Sequence, residues 1–259
     1  MNTGITLSDA LARHAVVRPH KCALTDPRRR TTFGELDERV TRLASALAVR
    51  GVQCGDRVAV LGLNSIELVE SWLAAQRLGA IPVPVNFRLA AGEVGYVLSD
   101  SAATAIVVDV ALESMVAEVR QGLPALHTVV TIGGNLEQTI AAADPDLPKR
   151  AVADDAPAFI MYTSGTTGFP KGAVLTHRNL YLHAFSSIAT LGHSSDDDCW
   201  MAVAPLFHTA GVSGMLPMFL TGGRTVIPPS GGFDPAATIA TVADEQVTSC
   251  WMTPAQWQA

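Results

Sequence analysis

Leu36, Val40, Leu43 and Leu47 recur at three- and four-residue spacing behind Thr32-Phe33-Gly34-Glu35. That pattern predicts an amphipathic helix opened by a capping box, in which Thr32 accepts from the first turn and Glu35 reaches back. Gly51 supplies its stop. The apolar run Val58-Ala59-Val60-Leu61 predicts a strand within 57–63. Asn64 or Ser65 then caps a second helix whose apolar face holds Leu68, Val69, Trp72 and Leu73, ended by Gly79. Residues 81–85 alternate apolar residues with Pro82 and Pro84, which suits the end or edge of a strand. Further on, 93–98 reads as helix, 105–108 as strand, 112–120 as helix and 128–132 as strand. Strands alternating with helices predict an α/β fold with a mainly parallel sheet covered on both faces.

Residues 133–156 are small and polar, with Pro145 and Pro148, and read as a connector carrying a helix at 136–143. The chain is thus expected as a first α/β part, 1–150, and a second part, 151–259. The second part opens on an apolar strand, 158–162, then a small-residue loop, 163–172. A second strand follows at 173–176, and Thr176 or His177 starts a helix. From Trp200 to Leu220 there is no Asp, Glu, Lys or Arg, a length that could cross a bilayer. Pro205, Pro217 and His208 break and polarise it, so a buried strand–loop–helix is the reading here.

Composition narrows the classes. The 259 residues are 48% hydrophobic, which excludes a disordered chain, and the net charge of −6 argues against nucleic acid as a partner. Charged residues make up 16%, against roughly 25% in an average globular chain, so much surface is buried or lacks its cover. Arg28-Arg29-Arg30 and Asp196-Asp197-Asp198 both read as solvated loops. Cys22, Cys54, Cys199 and Cys250 have neither zinc nor redox spacing and read as reduced thiols of a cytoplasmic protein. The start shows no secretory pattern.

The loop Thr163-Ser164-Gly165-Thr166-Thr167-Gly168-Phe169-Pro170-Lys171-Gly172 carries the candidate chemistry. Gly165, Gly168 and Gly172 allow positive φ and close approach of the backbone to a ligand. Successive backbone N–H groups in such a loop form an anion nest, the hydroxyls add donors, and Lys171 adds charge. The set suits a polyphosphate and its magnesium ion. It is not the P-loop of NTPases, because Lys171 precedes Gly172 rather than a Ser or Thr opening a helix.

The run Tyr162 to Gly172 resembles the signature phosphate loop of the adenylate-forming superfamily: acyl-CoA synthetases, peptide-synthetase adenylation domains and luciferases. Pro205-Leu206-Phe207-His208-Thr209-Ala210-Gly211 resembles that family's second motif, an aromatic–His pair beside the carboxylate substrate. Further matches are Asp56 to Val60, Leu78-Gly79-Ala80 with Val83 to Asn86, and Leu98 to Ser101, so the likeness runs from about Leu7 to the end. Among members it is most similar to bacterial fatty-acid and aryl-acid CoA ligases. The resemblance implies stacked, mainly parallel sheets flanked by helices, the amino-terminal part of the family's large domain. It implies ATP, Mg²⁺ and coenzyme A, with a carboxylic acid, in first place a fatty acid, turned into an acyl-adenylate and then an acyl-CoA.

On this resemblance Thr163, Ser164, Gly165, Thr166, Thr167, Gly168 and Lys171 take the β- and γ-phosphates, with Thr166, Lys171 and His208 catalytic and Thr167 on the metal. Phe207, His208 and Gly211 take the acid. Without the matched motif, His208 in an apolar stretch would read as a core histidine, as His177 and His183 do. Val212 to Leu220 lines an acyl tunnel or is core.

The family's adenine motif, ribose-binding Asp and small carboxy-terminal domain with its Lys have no counterpart here; Glu245 does not match. The chain is therefore expected to be inactive alone, and a homodimer through uncovered apolar surface is expected. No membrane span is expected, though peripheral membrane contact is open. Two other functional readings stay open: a non-catalytic nucleotide- or acyl-binding module, and an adenylation domain that loads a carrier-protein thiol.

Overall fold

The computed structural model describes residues 6–146, 150–163, 169–192 and 195–259. Helix α1 (Leu7–Val17) leads to a hairpin of β1 (Cys22–Thr25) and β2 (Arg30–Thr32). Then come α2 (Phe33–Val49), β3 (Arg57–Leu61), α3 (Ile66–Arg77), β4 (Ile81–Val85), α4 (Ala91–Asp100), β5 (Ala105–Asp109), α5 (Glu113–Val119), β6 (Thr128–Ile132) and α6 (Leu136–Ala141). The second stretch holds β7 (Pro157–Thr163), β8 (Lys171–Thr176), α7 (His177–Leu191), β9 (Cys199–Met201), α8 (Thr209–Ser213) and α9 (Met215–Thr221). It closes with β10 (Arg224–Val226), α10 (Pro235–Asp244), β11 (Ser249–Cys250) and α11 (Pro254–Trp257).

Three sheets result. One is all parallel in the order β4-β3-β5-β6. A second, β11-β9-β10-β1-β2, is parallel except for the β1–β2 hairpin, and it joins both ends of the chain. The third is the antiparallel pair β7–β8. The prolines of β4 sit on the outermost strand of the first sheet, where the missing N–H groups cost least.

Local signals did much of this. The Thr32–Glu35 capping box forms, and Leu36, Val40, Leu43 and Leu47 are fully buried. Ser65 caps α3, while Asn64 instead spans to the later chain, its Oδ1 accepting from Leu206 N at 2.9 Å. The uncharged stretch after Trp200 is the expected strand, loop and helices. No helix among the described residues is long and apolar enough to cross a membrane.

The basic run departs from expectation in part. Asp26 turns the β1–β2 hairpin by accepting from the Arg28 and Arg29 amides at 2.9 and 3.0 Å. Arg28 then pairs with Asp26 and Glu67, and Arg29 reaches the wholly buried Glu70 at 2.8 Å. Arg39 grips the same carboxylate with two bonds, 2.7 and 3.0 Å. Arg28 and Arg30 are exposed, as a solvated turn requires, and Arg30 pairs with Glu245; Arg28 and Arg29 in addition cover a buried carboxylate pair, because α3 presents Glu67 and Glu70 one turn apart towards the hairpin. Burial pushes the Asp26 carboxyl up, but the amides of Arg28, Arg29 and Ile66 outweigh it and hold the group below the usual range. Of the acidic run, Asp197 is exposed, as expected, and the half-exposed Asp196 pairs with Arg18 and Lys21. All four cysteines are free, and burial pushes the Cys199 thiol up to about 11.

Candidate active site

The β7–β8 hairpin positions the loop. Its register pairs Tyr162 with Gly172 and ends on Thr163 with Lys171. Both terminal side chains are exposed, and the Lys171 ammonium meets no carboxylate among the described residues. Ser164, Gly165, Thr166, Thr167 and Gly168 lie outside the described residues. Gly172 has a different reason from the one its place in the loop suggested. It is not among the glycines of positive φ; instead, a Cβ there would lie 2.8 Å from Ile160 and 3.1 Å from the Tyr162 ring. The glycine makes room for the tyrosine that crosses over it.

The second motif sits opposite. Pro205 and the residues after it leave β9, and His208 caps α8: Ala210 N donates to its Nδ1 at 3.1 Å. An amide can only donate, so Nδ1 is the acceptor, and the neutral ring carries its proton on Nε2. The exposed imidazole can therefore offer an N–H to a carboxylate. Phe207 is held edge-on against Phe87, ring centroids 5.4 Å apart. Gly211 lies beneath, buried, where a Cβ would fall 2.3 Å from the Pro205 carbonyl oxygen.

Thr163, Pro170, Phe207 and His208 border one cavity of about 370 Å³, with Glu93 and Val97 of α4 on another wall. So the hairpin end and the histidine motif, 45 residues apart in sequence, face the same space. Lys171 and Gly211 do not line it. Met161 and Thr209 also border a second, mostly apolar cavity of about 450 Å³, walled by Phe159, Leu180, Leu216 and Trp251. Val212 and Leu216 serve both as core and as its lining. His183 and Asn179 line it too, one turn apart on α7, although the sequence marked His183 only as structural. His177 is structural: burial pushes it down to about 4.

Sequence reasoning passed over Glu93, Tyr96 and Trp251. None carries a local signal; each reaches the site only through packing of elements distant in sequence. The described residues hold no group of three or more His, Cys, Asp or Glu placed to cage a metal.

A family model described as AMP-binding enzyme matches residues 11–259. The chain belongs to the AMP-binding enzyme family. Within it, the chain is 37% identical over 248 residues to a feruloyl-CoA synthase of an Amycolatopsis species, covering 95% of this chain and 48% of that protein. It is 32% identical over 241 residues to the long-chain-fatty-acid–CoA ligase FadD13 of Mycobacterium tuberculosis, covering 92% and 47%. The crystal structure of the anthranilate CoA ligase AuaEII in complex with anthranoyl-AMP matches with a TM-score of 0.93 at 29% identity, covering 99% of this chain and 50% of that one. The chain thus spans about half the length of the curated relatives it matches. These relatives of the AMP-binding enzyme family are acid–CoA ligases that differ in their acid.

Proposed function

We propose that this chain supplies the phosphate- and acid-binding half of an ATP-dependent, AMP-forming acid–CoA ligase. The observation that carries the reading is the shared cavity between the Thr163 end of the hairpin and His208, which has Met161 and Thr209 in common with the lining of an apolar chamber. A hydrophobic acid would lie in the chamber with its carboxylate near His208 Nε2. The loop 163–171 would hold the β- and γ-phosphates through Thr163, Ser164, Gly165, Thr166, Thr167, Gly168 and Lys171. The carboxylate oxygen then attacks the α-phosphorus and pyrophosphate leaves; the CoA thiol attacks the acyl carbon and AMP leaves. The first step joins an anion to a polyanion, so catalysis rests on positioning and charge neutralisation. The hydroxyl donors of the loop fit a Mg²⁺ carried on the phosphates, which Thr167 would contact and whose charge offsets that of the phosphates.

A fatty acid is the first substrate class, favoured by the apolar walls. The aromatic Phe159 and Trp251 and the likeness to a feruloyl-CoA synthase favour an aryl acid as the second. We also read the protein as cytoplasmic. We expect it to self-associate through exposed apolar side chains such as Leu182 and Phe185, which sedimentation at rising concentration would check.

The test is ATP–pyrophosphate exchange with panels of fatty and aryl acids. The chain is assayed alone and co-expressed with the second half of the feruloyl-CoA synthase. The chain alone should give no exchange, and the pair should give exchange that Lys171→Ala abolishes. Exchange indifferent to Lys171 would sink the assignment.

A further inference from the structure

Both stems of the β7–β8 hairpin are tied, at its loop end, to one helix. The Tyr96 hydroxyl of α4 donates to the Pro170 carbonyl at 3.2 Å, and its ring lies against Phe169 with centroids 5.1 Å apart. One turn on, Asp100 accepts from the Tyr162 hydroxyl at 2.6 Å. The two tyrosines thus point in opposite senses. Tyr96 reaches from the helix to the β8 stem, and Tyr162 reaches from the β7 stem back to the helix.

The helix is itself held where it meets the second stem. Arg57 donates to the carbonyls of Ser101 and Ala102 at 2.7 and 2.8 Å. Ala102 has φ of +48°, a left-handed conformation that an L residue adopts only under constraint. Gly172 leaves space for the Tyr162 ring. Burial, with the Asp100 carboxylate second, pushes the Tyr162 phenol up, so it stays a proton donor throughout the physiological range. Asp100 is exposed and Tyr162 only partly enclosed, so core packing does not account for their contact. The same helix presents Glu93 and Val97 to the cavity that His208 borders.

We propose that α4 is a clamp on the phosphate-loop hairpin, with Tyr96 and Asp100 as positioning residues that set the separation and direction of Thr163 and Lys171. This rests on the reading of 163–171 as the phosphate site. In consequence, whatever shifts α4 at its Glu93 face shifts the grip on phosphate, so filling of the shared cavity and holding of the nucleotide are coupled through one helix.

The experiment has two arms, the first on the 259-residue chain and the second on that chain paired with the second half of the feruloyl-CoA synthase, with Tyr96→Phe, Asp100→Ala, Tyr162→Phe and the double variant Asp100→Ala/Tyr162→Phe. The first arm measures hydrogen exchange without ligand at the amides of Thr163, Lys171 and Gly172, with β3 and β5 amides as internal reference. The clamp predicts exchange faster by about threefold to tenfold at the hairpin end in each single variant, the worth of one hydrogen bond, with β3 and β5 unchanged. The double variant should match the Asp100 and Tyr162 single variants, because either change alone breaks the same contact. The second arm measures Mg·ATP binding by calorimetry, where each variant should weaken affinity about threefold to tenfold without moving the unfolding midpoint.

Unchanged exchange at the hairpin overturns the clamp. So does exchange that rises equally in β3 and β5, which would make α4 a general support of the fold. If the wild-type pair binds no Mg·ATP while the exchange pattern holds, the phosphate reading falls and the clamp stands. Tyr96→Phe keeps the ring stacked on Phe169, so its fold is preserved and the hydroxyl alone is tested.

Discussion

The four-stranded parallel sheet and the β7–β8 hairpin are written in the same alphabet of short apolar runs, yet they live in different surroundings. Val58, Ala59, Val60 and Leu61 of β3 and Ala105 to Val108 of β5 are buried on both faces. Lys171 to Val174 of β8 are exposed, Val174 at 54%. The parallel strands are held by helices covering each face, as crossover connections require. The hairpin needs only its own turn to pair, so it can stand with one face open and its end aimed at a cavity. Stability is concentrated in the first, and the chemistry is placed on the second.

Five outcomes would break or sharpen that contrast. The first is Glu70→Ala, which removes the wholly buried carboxylate that Arg29 and Arg39 share and leaves them Glu67 and Glu137; about 3 kcal/mol should be lost in urea unfolding, the low end for a buried ion pair that loses one partner. Leu43→Ala on α2, fully buried in the core cluster that also holds Val58, Val60 and Val107 of that sheet, should cost about 2–5 kcal/mol by the same assay.

His177 lies at the seam, on the first turn of α7. It is 2% exposed and pushed down to about 4 by burial, against 6.5 in the unfolded chain. Between those values the unfolded chain binds a proton that the folded one refuses. Its contribution is therefore complete above about pH 6.5 and is lost as pH falls towards 4, in all about 3 kcal/mol. His177→Gln should flatten that part of the stability–pH curve.

On the hairpin the effects shrink. Gly172→Ala should cost about 1–3 kcal/mol by crowding Ile160 and Tyr162, read from the unfolding midpoint. Val174→Ala, on the open face, should change stability by no more than about 0.5 kcal/mol. A large loss there would mean that β8 is covered in solution and that the contrast is false.

Much of the fold could be read in the chain, because its signals are local. The Thr32–Glu35 box, the α2 core face and strands β3 to β6 each stand within a few residues of the pattern that predicts them. The β1–β2 hairpin did not announce itself: its partner β10 lies near the other end of the chain, and its turn residues read as solvated arginines. The phosphate loop and the His208 motif were legible as residue types, but the reason for Gly172 was not, since that lies in the neighbouring ring of Tyr162.

What the sequence determined by itself is what short-range chemistry can specify: caps, helical faces, apolar strands and a run of hydroxyls, glycines and a lysine suited to phosphate. Tertiary structure alone decided which distant pieces share a space. It set the hairpin end across a cavity from His208, placed Tyr96 and Asp100 at the two stems, and turned Arg28, Arg29 and Arg39 into the lid of two buried glutamates. Such meetings depend on burial and packing summed over the whole chain, and no window of residues contains that sum.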